Sequence, residues 1–335
     1  RPTAFDRIAA ALAVRRDREA GPLTILSCDN LPGNGAVARR AALAAAERVG
    51  GDLSAWIQDR CTFPNSMVDR ITPVTTPEDI DELREQFGVE DAWPVVCEPF
   101  TQWVLEDDFP SGRPGWESSG VQLTRDVEPY ELMKLRLLNA SHQALAYAGR
   151  LSGYTYVHEA AADPVFVNFL TGYMTDEATP TLEPVPGIDL DRYIRTLLER
   201  FANPAIRDTI ARLCASASDR IPKWLLPVIR DGIDHGREIT RSIAVVACWA
   251  RYAEGVDEDG VPIEVEDALR DDIMARAQAQ SDNPLAFVEN ERLFGDLARN
   301  PAFADGYRQI LNSLHSIGAH RTLEVLNATF TAAPK

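Results

Sequence analysis

The run Glu131-Leu-Met-Lys134-Leu-Arg-Leu-Leu-Asn139-Ala-Ser-His142 sets a carboxyl, an amine, an amide and an imidazole in otherwise largely apolar helix-forming sequence. The amine is the informative member. The chain holds only three lysines against thirty-one arginines. An arginine stays protonated in a protein, whereas burial and neighbours can tune a lysine to release its proton. Lys134 is therefore a candidate general base. At about 100° per residue, Glu131, Lys134 and His142 project within roughly an 80° arc, with Asn139 about 60° beyond His142. Pro129 stands just upstream, where a helix tolerates proline. A helix apolar nearly all round is buried, and its polar members then need partners or a ligand. A lone histidine or asparagine here would pass as a satisfied core group. Four polar groups converging on one face point to a site.

Composition bounds the chemistry. A chain of 335 residues exceeds one small core, and two domains are expected. The hydrophobic share of 45% and charged share of 25% are those of an ordinary soluble protein. A net charge of −17 argues against nucleic acid and against an anionic membrane surface as partners. No stretch is long and apolar enough for a membrane span, and no signal peptide leads the chain. The five cysteines form no CxxC pair and the five histidines no HxxxH cluster, so no metal site is expected and a zinc-dependent dehydrogenase is disfavoured. Free thiols suit a reducing, cytoplasmic setting. The opening Arg1-Pro2-Thr3 lacks an initiator methionine, so the chain is expected to begin inside a longer one.

The elements that must position these residues divide in two. Residues 1–120 mix strands and helices, an α/β layer. Leu23–Cys28 reads as a short strand running into the turn-rich Asp29-Asn-Leu-Pro-Gly-Asn-Gly35. Helices are expected over 36–49 and, with Thr76 as cap, over 77–87. The stretch 93–105, rich in valine and aromatics, reads as a strand. From residue 121 the chain is mostly helical, with helices expected over 129–150, 160–175, 188–202, 204–217, 237–254, 265–280, 284–297, 301–316 and 319–330. No GxGxxG follows a strand, and Gly33-Asn-Gly35 is too short to cradle a pyrophosphate. Asp257-Glu-Asp-Gly260 is acidic but lacks calcium-loop spacing.

Ser27-Cys-Asp-Asn30-Leu-Pro-Gly-Asn-Gly35, Glu98-Pro-Phe-Thr-Gln-Trp-Val-Leu-Glu-Asp-Asp-Phe109, Gly112-Arg-Pro114 and Lys134-x4-Asn139-x2-His142 together resemble the polyol-specific long-chain dehydrogenases. This family includes mannitol 2-dehydrogenase, arabinitol dehydrogenases and fructuronate and tagaturonate reductases. The resemblance runs from about residue 20 to the C-terminus. It implies that 1–120 is the later portion of a Rossmann-type cofactor domain and 121–335 a helical substrate domain. It also implies an NAD(P)-dependent, metal-independent interconversion of a sugar alcohol and a ketose, of the mannitol/fructose type. The family's glycine-rich cofactor motif lies outside this chain, so the chain by itself is expected to be inactive. Residue by residue, the resemblance implies Lys134 as general base and Asn30 and Asn139 as the amide pair holding the reacting oxygen. His142 and Asp69 would bind substrate hydroxyls, and Arg212 more distant ones. Arg220 stands where the family usually has lysine, which keeps the charge but changes the donor geometry. Glu131 would relay the proton to solvent, or else be an ordinary ion-pair partner. The alternatives are a uronate reductase, or a catalytically silent fragment acting as an interaction module.

Overall fold

The computed structural model describes residues 1–331. The chain forms two compact units. One comprises residues 1–71 and 99–132, the other residues 72–98 and 133–335. The passage between them at 132/133 falls inside a continuous helical run.

The first unit is an α/β layer with few strands. Helix α1 (Ala4–Asp17) opens on a capping box between Thr3 and Asp6. Strand β1 (Leu23–Thr24) pairs in parallel with β2 (Cys61–Thr62), and α2 (Asn34–Val49) and α3 (Leu53–Arg60) lie between them in sequence. Alanines 38, 42 and 46 make one face of α2 flat, and Leu12, Leu53, Ile57 and Phe63 close the core over it. A second sheet joins β3 (Ser66–Asp69), antiparallel, to β4 (Gln102–Glu106), which runs parallel to β5 (Gln122–Thr124). Helix α5 (Glu128–Met133) follows.

The second unit is helical. It includes α4 (Pro77–Phe87), capped by Thr76 and Asp79. A π-helical turn, Lys134–Asn139, leads into α6 (Ala140–Leu151). Helices α7 (Val157–Ala162) and α8 (Pro164–Gly172) precede a second π-turn, Tyr173–Ala178. After these come α9 (Leu190–Phe201), α10 (Ile210–Cys214), α11 (Ala217–Trp224), α12 (Leu226–Asp234) and α13 (Thr240–Tyr252). The last are α14 (Arg270–Gln278), the short α15 (Glu291–Phe294), α16 (Pro301–Ile317) and α17 (Ala319–Thr331). Every residue of α6 except Arg150, and every residue of α13 except Thr240, is buried. Such helices form the centre of a bundle. Tyr147 of α6 meets Trp249 and Tyr252 of α13, and Trp249 meets Phe287 and Phe294.

Several expectations are corrected. The strand expected over 93–105 is paired only from Gln102, because Pro94 and Pro99 lack the N–H that a ladder needs. The strand expected over 23–28 pairs only at Leu23–Thr24, with Ile25 N–H still donating to the Thr62 carbonyl. The helix expected over 204–217 contracts to α10, since Ala215 is extended and Ser216 takes a left-handed conformation with φ 58°. Helices α11 and α12 were hidden by Pro222 and Pro227, one inside a helix and the other in a first turn. The helix expected over 284–297 is one short helix flanked by turns.

Candidate active site

In the first unit, Asn30 is exposed in the loop between β1 and α2, and the loop is held from below by Asn34. Asn34 is buried. Its Nδ2 donates to the carbonyls of Ser27, Asp29 and Ser66 at 3.1, 3.0 and 2.9 Å, and its Oδ1 accepts from Ser66 N–H at 2.9 Å. One amide thus ties the loop to β3, whose last residue is Asp69. Asp69 is only 4% exposed. Gly35 permits this closeness: a Cβ there would fall 2.3 Å from the Phe63 carbonyl oxygen.

Glu131 faces the same loop. Both of its carboxylate oxygens accept from Gly33 N–H at 3.2 Å. Burial pushes the Glu131 carboxyl above its ordinary range, the Gly33 N–H draws it back, and the charges of Glu106, Glu128 and Asp126 push it up again. Asn65 Oδ1 accepts from Gly35 N–H at 2.9 Å and Ala36 N–H at 3.2 Å. The start of α2, where a dinucleotide phosphate would bind by preference, is therefore occupied by the protein's own acceptors. The start of α2 does not fit a pyrophosphate.

In the second unit, Lys134, Asn139 and His142 are 7, 5 and 9% exposed. The run carrying them is not a plain α-helix. From Lys134 to Asn139 it closes i to i+5, ending with Ala140 N–H on the Leu135 carbonyl. A turn that holds more residues advances each by less than 100°. The expected angular arrangement is corrected accordingly: the π-turn brings Asn139 round towards the face of Lys134. Asn139 Nδ2 is buried, and no described residue accepts from it. A buried amide donor left open costs stability unless a ligand satisfies it. The His142 ring lies 4.5 Å from that of Phe201 at the end of α9. The adjacent Arg200 is forked onto the buried Glu98 carboxylate at 2.9 and 2.7 Å.

Arg212 and Arg220 come together with α6. Arg220 donates to the carbonyls of Arg212 and Leu213 at 3.3 and 3.1 Å, and Gln143, next to His142, donates to the Leu213 carbonyl at 3.2 Å. Arg220 also lies over the Trp224 ring at 5.8 Å, and burial lowers its pKa. Arg212 is bound through two nitrogens to the buried carboxylate of Asp208, which raises its pKa. Asp208, Phe201 and Gln143 were not singled out from the sequence. Only Asp208 left a signal, its i,i+4 spacing to Arg212. Among the described residues no cluster of His, Cys, Asp and Glu has the makings of a metal site, and no helix is long and apolar enough to cross a membrane.

The family model described as the mannitol dehydrogenase C-terminal domain matches residues 126–317, more than half of the chain, and that of the mannitol dehydrogenase Rossmann domain matches residues 2–118. The chain belongs to the mannitol dehydrogenase family. Mannitol 2-dehydrogenase of Aspergillus terreus is 44% identical over 301 residues, covering 89% of this chain and 60% of that protein. The Pseudomonas fluorescens mannitol 2-dehydrogenase, solved as a ternary complex with NAD and D-mannitol, superposes with a TM-score of 0.85 at 46% identity, covering 97% of this chain and 66% of that one. A D-sorbitol dehydrogenase in substrate-free form superposes with a TM-score of 0.88 at 32% identity, covering 96% of this chain and 66% of that one. The chain thus spans about three fifths to two thirds of the length of these relatives.

Proposed function

We propose that the protein carrying this chain is an NAD-dependent, metal-independent dehydrogenase that interconverts a hexitol of the mannitol type and its ketose. The observation that carries the reading is the open, buried Asn139 amide on a π-turn that begins at buried Lys134. Oxidising an alcohol removes a hydride from carbon and a proton from oxygen, and this chain's residues serve the second event. In this reading the buried Lys134 is the general base that takes the hydroxyl proton. Asn139 Nδ2–H donates to that oxygen as it gains alkoxide character. The family roles add Asn30 to the same task, and His142 and Asp69 to neighbouring hydroxyls. The hydride acceptor is the dinucleotide, for which the start of α2 offers no cradle. Glu131, with its raised pKa, is suited to pass the proton on to solvent.

The polyol reading is favoured over the uronate one by Arg212. Its guanidinium is already neutralised by Asp208, which suits it to hydroxyls rather than to a further carboxylate. Arg220 is likewise engaged on backbone carbonyls. The protein expressed from its own gene should reduce NAD with D-mannitol, unaffected by a chelator. Turnover of fructuronate without hexitol turnover would replace this reading by the uronate one, and absence of both would overturn it.

A further inference from the structure

The π-turn at Lys134–Asn139 has a second one standing against it, Tyr173–Ala178, and the two are joined by specific bonds. π-Helix is rare, found mostly as single bulges inside α-helices, because its hydrogen bonds are poorer than those of the α-form it interrupts. A bulge of this kind persists where its surroundings hold it. Tyr173, fully buried at the start of the second turn, donates its hydroxyl to the Arg136 carbonyl in the middle of the first, at 2.9 Å. Arg136 returns the grip, its guanidinium donating to the Thr181 carbonyl just past the second turn.

The second turn is itself fixed in register. Glu177, four residues after Tyr173, accepts from the backbone N–H groups of Arg241 and Ser242 at 2.7 and 2.8 Å and from the Ser242 hydroxyl at 2.6 Å. It therefore caps the start of α13, the most buried helix of the bundle. The second turn thus bonds α13 through Glu177 and Arg136 through Tyr173, and Arg136 lies two residues after Lys134 and three before Asn139.

We propose that Tyr173 is a positioning residue for Lys134 and Asn139: its hydroxyl, anchored to α13 through Glu177, keeps their turn in the π-form. Without that bond the turn relaxes towards α-geometry, and Asn139 swings away from the face of Lys134. The catalytic part of this inference rests on the polyol reading, but the structural part does not.

Two measurements on Tyr173→Phe, which keeps the ring and removes the hydroxyl, test it. The first is amide hydrogen exchange on the 335-residue chain. Exchange at Leu138–Ser141 should quicken at least tenfold while α16 keeps its parent rates, since local opening is read residue by residue. Unchanged rates at Leu138–Ser141, or a uniform rise that includes α16, would overturn the proposal. The second is steady-state kinetics in the polyol-oxidising protein. By analogy with the partners of other site residues, kcat should fall roughly ten- to a hundredfold, with KM nearly unchanged and the pH profile displaced. Parent-like kcat and pH profile would overturn it. If the parent itself turns over no polyol, the functional reading falls and the exchange result still decides the structural one. Glu177→Gln, which loosens the grip on α13 and leaves Tyr173 intact, should produce the same selective rise at Leu138–Ser141. It serves as the deciding variant if Tyr173→Phe does not fold, and unchanged exchange there would then overturn the proposal.

Discussion

At the scale of single residues, the proposed mechanism divides one task between Lys134 and Asn139, and substitution should separate them. A buried amine acts on the proton, so its removal should cost turnover and leave binding nearly intact. Lys134→Ala should lower kcat by about 10²–10⁴-fold with little change in KM. The rise of the parent's oxidation rate with pH should vanish with it. Asn139→Ala removes one donor to the developing oxyanion, a loss worth roughly 10²–10³-fold, and should keep the parent's pH dependence because the base remains. Steady-state kinetics over pH distinguishes the two. A Lys134→Ala variant with parent-like turnover and pH profile would remove the lysine from the mechanism. Arginine cannot substitute at this position. It would hold its proton at any working pH, so Lys134→Arg should be as slow as the alanine variant.

Among the elements, what the sequence disclosed depends on whether the signal was local. Leucines around Lys134, Asn139 and His142 revealed a buried helical run, and Thr76 before Pro77 announced α4. The π-turn left no such signal, because its cause lies in Tyr173 and Glu177, far along the chain. The contact of Phe201 with His142 was hidden for the same reason, whereas the Asp208–Arg212 pair was readable from spacing alone. The strands were over-read, since valine and aromatic content registers apolar burial but not the missing donors of Pro94 and Pro99. Glu177 also gives its element a pH dependence. Burial pushes its carboxyl up to about 7, despite three donors. The folded protein then binds that proton more tightly than the unfolded chain does, so stability from this group is present below pH 4.5, the unfolded value, and declines as pH rises to about 7. The decline is on the order of 3 kcal/mol. Denaturant midpoints measured from acid to neutral pH should show it, and Glu177→Gln should flatten it. A midpoint that rises across this window in the parent through Glu177 would contradict the assignment.

For the whole molecule, the question is what this chain holds by itself. Its helical unit carries Lys134, Asn139 and His142, and its α/β unit carries Asn30 and Asp69. A dinucleotide asks for something different: a turn whose backbone N–H groups are free to meet a pyrophosphate at a helix start. The best-placed turn here, ahead of α2, has Gly33 N–H on Glu131 and the N–H groups of Gly35 and Ala36 on Asn65. A carboxylate at that spot repels phosphate, and a net charge of −17 adds to the effect. Displacing Glu131 and Asn65 would strand part-buried polar groups, each at a cost below the roughly 1–3 kcal/mol of a fully buried one. The 335-residue chain, titrated with NAD in a calorimeter, should therefore show no saturable heat, even though the P. fluorescens relative binds NAD and D-mannitol together. The same titration should remain flat with Glu131→Gln, because Asn65 still occupies the two following N–H groups. A dissociation constant tighter than about 1 mM, or about −4 kcal/mol, would show that these residues hold the dinucleotide without a glycine-rich turn.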